Sequence, residues 1–389
     1  MIRNRLAVAV LALLLAATPF GSAALWAQAP APEAAKSVAA SLQPFVDNNT
    51  LAGAVVLVAS KDKVLCLEAV GYADVAAKKP MRPDSLFWIA SQSKPITATA
   101  LMILVDEDKV NVDDPVEKYL PEFKGQMVVA EKDGEHVLLK KPRHPITVKN
   151  VLTHTSGLPF KSPIEQPTLD LFALALRVKS YAAAPLEFEP DTKYQYSNAG
   201  INTAGRIIEV VSGMPYEEFL AQRIFKPLGM KDTTFWPSDE QLKRLAKSYK
   251  PNARKDGLEE TTISQLKYPL NDPVRRPMPA GGLFSTATDL SIFYRMIAGG
   301  GAFEGKRILS EQAVKQMTSK QTGDLPTPYG FGFSTGGRVG HGGAYNTNSC
   351  IDQPHGLIEI FLVQHADWAG DGKKILPAFQ KAATEAFAK

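Results

Sequence analysis

Apolar residues are distributed differently at the two ends of the chain and in its middle. Near the ends they form short runs rich in β-branched residues. Residues 52–59 (AGAVVLVA) and 63–70 (KVLCLEAV) come early; 338–340, 348–352 and 357–364 (LIEIFLVQ) come late. Runs of this length bounded by turn residues predict strands, and the charged turn between the first two predicts a hairpin. From Thr147 to about Arg223 the spacing turns helical, over 148–152, 168–180, 200–211 and 216–224. Residues 126–140 interrupt this order as a second hairpin turning at Asp133-Gly134. Residues 238–280 carry Pro251, Pro269, Pro273 and Pro277 and read as an irregular functional rim. Helices resume after Thr286-Ala287-Thr288-Asp289, which resembles a capping box with Asp in place of Glu, and a last helix is expected from about 375 to 388.

Strands at both ends around a helical middle predict an α+β fold. The expected architecture is one mixed antiparallel sheet flanked by helices and built from the N- and C-terminal segments, about 37–123 and 281–389. A mostly helical lobe, about 124–280, is inserted between them. Ahead of it, residues 1–29 read as an export signal: Arg3 and Arg5, an apolar run from Leu6 to Ala17, then small residues with cleavage expected near Ala24, Ala27 or Ala29. Residues 30–36 form a linker. The apolar run is too short to span a bilayer comfortably, so no membrane span is expected after its removal, and a periplasmic or secreted protein is.

Loss of residues 1–29 removes two arginines and no acid, and the net charge falls from +4 to +2. Nothing in that balance points to nucleic acid. Cys66 and Cys350 each fall in a strand-like run and are expected as buried free thiols. The six histidines include no His-x-x-x-His pair, so neither a metal nor another cofactor is expected. An α/β-hydrolase elbow is likewise not expected.

The chain's most distinctive chemistry lies at Ser91-Gln92-Ser93-Lys94, at the head of the apolar run from Ile96 to Val105. Pro95 suits a first helical turn, and residues three apart share a helix face. Such a helix is buried, which lowers a lysine pKa, and a neutral lysine can take a serine proton. Two other stretches have the same spacing, at Ser60 and Ser264, but neither opens a buried helix. The plainer role for Ser91 and Lys94 is a capping serine with a snorkelling lysine. Tyr196-Ser197-Asn198 is the only Tyr-x-Asn, just before a helical run. A tyrosine near cations can exist partly as phenolate and act on a proton, and the asparagine can hold the lysine and a substrate carbonyl. His341-Gly342-Gly343 is the only His-x-Gly; its glycines permit close approach of a substrate, and the amide of Ala344 can serve an oxyanion.

The order Ser-x-x-Lys, Tyr-x-Asn, His-x-Gly resembles the class C β-lactamase and D,D-peptidase family of serine hydrolases, the penicillin-recognising fold. Residues 152–159 (LTHTSGLP), 227–230 (PLGM) and 281–290 (GGLFSTATDL) agree with it. The resemblance implies that Ser91 is acylated, that Lys94 and Tyr196 share the proton work, and that Asn198 positions Lys94 and the substrate. It also implies an oxyanion hole from the N–H groups of Ser91 and Ala344, with His341 and Gly343 lining the groove. The third motif departs from the Lys-Thr-Gly of class C enzymes. A histidine only partly charged near neutral pH offers less to a β-lactam carboxylate. The expected substrate is therefore an ester, amide or peptidoglycan-type peptide, for a carboxylesterase or D-amino-acid peptidase. A class C-type β-lactamase is the alternative, and a non-catalytic peptidoglycan- or partner-binding homologue is a second one.

Overall fold

The computed structural model describes residues 38–388. The export signal at 1–29 and the linker at 30–36 lie outside the described residues. A six-stranded sheet is built from β1 (Gly53–Ala59), β2 (Val64–Asp74), β3 (Lys79–Pro80), β4 (Arg338–Gly342), β5 (Asn348–Asp352) and β6 (Leu357–Leu362). Its order is β4-β5-β6-β1-β2-β3, and each neighbouring pair is antiparallel. The β6–β1 pairing, with Val55 opposite Leu362 and Ala59 opposite Ile358, joins the two ends of the chain at the sheet's centre.

All seven residues of β1 are buried, which explains its unbroken apolar run: both faces are covered. Side chains alternate across a strand, so Val55, Leu57 and Ala59 enter the larger core while Ala54, Val56 and Val58 enter a second one. Phe361, Ile375, Phe379 and Ala383 complete the second core, the last three from the C-terminal helix.

The helices include α1 (Ser93–Asp106), α2 (Val148–Thr153), α3 (Leu174–Ala183), α4 (Asn198–Ser212), α5 (Ala287–Ala298) and α6 (Ile375–Phe387). Every residue of α1 from Ser93 to Leu104 is buried, because α4 packs against it and the larger core surrounds it. Thr286 caps α5 by accepting from Asp289 N–H at 3.3 Å. The Asp289 carboxylate instead holds Asp232 N–H and Thr233 Oγ1, both at 2.8 Å, so the box is spent on a tertiary contact.

Two boundaries differ from the pattern. Residues 168–173 precede α3 rather than opening it, because the Asp170 carboxylate is taken by buried Arg275 at 2.6 Å and by Lys267 N–H at 3.0 Å. Residues 238–280 are less irregular than their prolines suggest: Ser248–Pro251 pairs with Leu258–Thr261 as a short hairpin. Pro251 is tolerated there at a strand's end. The 126–140 hairpin forms as expected, with Val128–Lys132 opposite Val137–Lys140. Cys66 and Cys350 are buried free thiols.

Gly332 fixes how closely the C-terminal part approaches α1. Its φ is +73°, and a Cβ there would lie 2.6 Å from Ala98 Cβ and 2.9 Å from the Lys94 carbonyl oxygen. Gly332→Ala is expected to destabilise the fold by about 1–3 kcal/mol through overpacking and left-handed strain. Urea unfolding checks this; an unchanged midpoint would show that α1 yields at this contact.

Candidate active site

Ser91 lies in a 3-10 turn, Ala90–Gln92, that runs directly into α1. Ala90 takes a left-handed φ of 46°, so the turn before α1 is strained. The turn is pinned from both sides: Ile89 N–H donates to Leu283 O at 3.0 Å, and Ser93 Oγ donates to Ala90 O at 2.7 Å. The first N–H groups of such a turn have no acceptor within it, so the amide of Ser91 is available to a ligand. Ser91 itself is half-buried.

Lys94, one turn on, is fully buried. Its Nζ lies 3.1 Å from Ser91 Oγ, 2.8 Å from Asn198 Oδ1 and 2.7 Å from Ala280 O. Burial holds its pKa well below the ordinary lysine value. A neutral amine has two N–H bonds and one lone pair. The two carbonyl oxygens take the hydrogens, which leaves the lone pair facing the Ser91 hydroxyl.

Tyr196 and Asn198 are placed by the entry to α4. Ser197 is the N-cap, accepting from Gly200 N–H at 3.1 Å and donating to Pro159 O at 2.7 Å. That cap sets Asn198 at the first helical position, where its amide oxygen reaches Lys94. The ring of Tyr196 stacks beneath Lys94 Nζ, 4.6 Å from its centroid. The expected phenolate is not supported. Burial raises the Tyr196 pKa, and this outweighs the hydrogen bond with Ser91, which pulls it down. Tyr196 is a neutral phenol beside Ser91 because a buried anion lacks solvation.

His341, on β4, lies across the groove with its ring 5.9 Å from that of Tyr196. The partial charge expected of it is not supported: burial pushes its pKa down to about 3. It faces no substrate as a cation. Its Nδ1 lies 2.6 Å from Gly342 O, and its Nε2 lies 3.1 Å from Tyr329 Oη. Gly343 is required sterically, since a Cβ would lie 2.2 Å from Thr347 Oγ1 and 2.5 Å from Ile89 O. That contact sets the strap after β4 against the Ser91 turn. Ala344 N–H follows on the exposed side, with no backbone acceptor among the described residues.

Three contributors were not singled out from the sequence. Ala280 acts through its carbonyl, and a backbone atom leaves no residue-type signal. It is held by its own N–H, which donates to Asn202 Oδ1 at 3.1 Å. His154 and Tyr329 lie in short phrases whose roles depend on folding. The Gly-x-Ser-x-Gly spacing does occur, at Gly332-Phe333-Ser334-Thr335-Gly336. Ser334 is no elbow nucleophile, however: its N–H bonds Gly340 O at 2.9 Å in a strand-like bridge, and its side chain is exposed.

An antiparallel sheet with a Ser-Lys pair at the head of its buried helix defines a serine hydrolase of the penicillin-recognising type. The chain belongs to the Beta-lactamase family, whose model matches residues 38–383. It is similar to Esterase EstB of Burkholderia gladioli, 28% identical over 374 residues that cover 85% of this chain and 92% of that one. Among solved structures, EstCE1, described as a hydrolase with promiscuous acyltransferase activity, superposes with a TM-score of 0.72 at 24% identity. That match covers 90% of this chain and 98% of EstCE1. The D-amino acid amidase of Ochrobactrum anthropi SV3 gives 0.71 at 24% identity, covering 91% and 100%.

The depressed Lys94 pKa sets a pH dependence. Neutral amine, and with it kcat/KM, is present above the lowered value and is lost as pH falls through it. A lysine at its ordinary 10.5 would confine activity to strongly alkaline solution. Lys94→Arg, charged at every accessible pH, is expected to lose about 10²–10⁴-fold with no alkaline recovery. A pH–rate profile of both proteins checks this, and alkaline recovery in the arginine variant would remove Lys94 as base.

Proposed function

We propose that the protein is an exported hydrolase that acts through an acyl-Ser91 intermediate, with carboxylic esters or D-amino-acid amides and peptides as substrates. The observation that carries this reading is the buried Lys94 amine, whose Nζ lies within hydrogen-bond distance of Ser91 Oγ, Asn198 Oδ1 and Ala280 O.

In acylation, Ser91 Oγ attacks the substrate carbonyl carbon while its proton passes to Lys94 Nζ. The resulting oxyanion accepts from the N–H groups of Ser91 and Ala344. As the bond to the leaving oxygen or nitrogen breaks, that atom takes a proton from Lys94 through the Tyr196 phenol. Water then cleaves the acyl-serine, releasing the acid and restoring the serine hydroxyl. Asn198 holds the amine throughout.

The ester reading is supported by the similarity to Esterase EstB and by the neutrality of His341. A β-lactam's carboxylate would meet an uncharged ring where class C enzymes offer a lysine. The amidase likeness supports the amide branch at the level of fold. Export rests on the basic head and apolar run of residues 1–29. The mature chain is expected to begin after Ala24, Ala27 or Ala29; terminal sequencing checks this, and retention of residue 1 would refute it.

Short-chain p-nitrophenyl esters are expected to be turned over, and Ser91→Ala is expected to reduce kcat/KM by about 10³-fold or more. Intact mass after incubation with benzylpenicillin is expected to show the drug unhydrolysed, with at most a slow adduct on Ser91. Rapid lactam hydrolysis would establish a β-lactamase instead. No turnover of any ester, amide or lactam by the unaltered protein would leave a binding homologue.

A further inference from the structure

Four contacts run from one wall of the groove to the other. Ser197 N–H donates to His154 Nδ1 at 3.1 Å. His154 Nε2 lies 3.2 Å from Tyr329 Oη, which lies 3.1 Å from His341 Nε2. His341 Nδ1 lies 2.6 Å from Gly342 O. His154 is placed by the left-handed end of α2, φ 61°, and is 1% exposed; Tyr329 is 2% exposed. Water therefore cannot substitute freely at the His154–Tyr329 contact, whereas His341 is half-buried and Gly342 exposed.

The two ends of the chain determine where its protons lie. A backbone N–H can only donate, so His154 Nδ1 is bare. A carbonyl oxygen can only accept, so His341 Nδ1 carries hydrogen. With both rings neutral, His154 has its hydrogen on Nε2 and His341 has none there. The Tyr329 hydroxyl then accepts from His154 and donates its one proton to His341. Every group is satisfied. A proton added to His341 would aim two N–H groups at Tyr329 Oη and leave the phenol's own hydrogen without an acceptor.

We propose that Tyr329 is a positioning residue whose hydroxyl locks the opposed tautomers of His154 and His341, and so braces the Tyr196–Asn198 wall against the Gly342–Ala344 strap. The proposal rests on the hydrolase reading above for its catalytic consequence. Through Ser197 the brace holds the residue between Tyr196 and Asn198. Through Gly342 it holds the strap that presents Ala344 N–H. On this reading His341 is a member of the brace, with no direct part in binding a carboxylate.

The groups around the brace agree with a chain that stays uncharged. Burial disfavours a charge on either histidine. It also holds Tyr329 as a phenol, and the ring of Tyr194, before α4, packs 5.7 Å from that of Tyr329. No carboxylate among the described residues acts on either ring.

Long-range 1H–15N correlation spectra of the full-length mature protein, labelled at histidine, test the brace directly. His154 is expected as the Nε2–H tautomer and His341 as the Nδ1–H tautomer, unchanged between about pH 5 and 8. Tyr329→Phe, with a melting curve near that of the unaltered protein, is expected to lose about 10–100-fold in kcat on an ester while KM moves less than about threefold. It should also introduce a histidine titration between about pH 5 and 7 in both the spectra and the rate profile. The opposite tautomers, or a protonated ring in that range, would overturn the proposal. So would a phenylalanine variant with unaltered kcat and no new titration. If that variant fails to fold, the tautomers of the unaltered protein decide. Absence of ester turnover would count against the hydrolase reading and leave the tautomer result standing.

Discussion

The structure depends on keeping one amine uncharged. Lys94 sits without solvent in a helix buried from Ser93 to Leu104, and a bare ammonium there would be costly. Burial lowers its pKa, and two carbonyl oxygens from distant segments and the neighbouring Ser91 hydroxyl surround it. Much of the surrounding packing serves this arrangement. Ser197 caps α4 so that Asn198 starts it, Asn202 on the same helix holds the Ala280 amide, and Gly332 lets the C-terminal part press on the Lys94 carbonyl. The strained Ala90 before Ser91 is held by Ser93 Oγ and by the Ile89–Leu283 hydrogen bond.

The second organising feature is that the groove is lined by aromatic and imidazole rings held neutral. Tyr196, Tyr194, Tyr329, His154 and His341 pack edge to face or tilted, with centroid separations from 4.6 to 6.2 Å. In such surroundings a proton is transferred over a short path without a fixed charge nearby to trap it. The cost is weak attraction for anionic substrates.

Local pattern was enough for the elements whose burial is one-sided or complete. β1 and β2, the buried α1, the helical run at 200–211 and the last helix follow from periodicity, since each records its own surroundings along the chain. It was not enough where a side chain is spent on a distant partner. Asp170 is bound to Arg275 and delays the start of α3; Asp289 leaves its box for Thr233. The hairpin at 248–261 was hidden because its short, partly exposed strands carry no apolar alternation and end in proline.

The sequence by itself determined that a serine and a lysine share one face of a buried helix, and that a Tyr-x-Asn and a His-x-Gly exist to meet them. Spacing and residue type carry that information because helix geometry is local. Only the tertiary structure decided the protonation states. Tyr196 has the residue type of a base and the burial of a neutral phenol; His341 has the residue type of a cation and sits between a phenol and a carbonyl. Solvation and the number of acceptors around a group set its charge, and both are supplied by residues far away in the chain. Ala280 shows the limit most plainly, because the atom that matters is a backbone oxygen that every residue possesses.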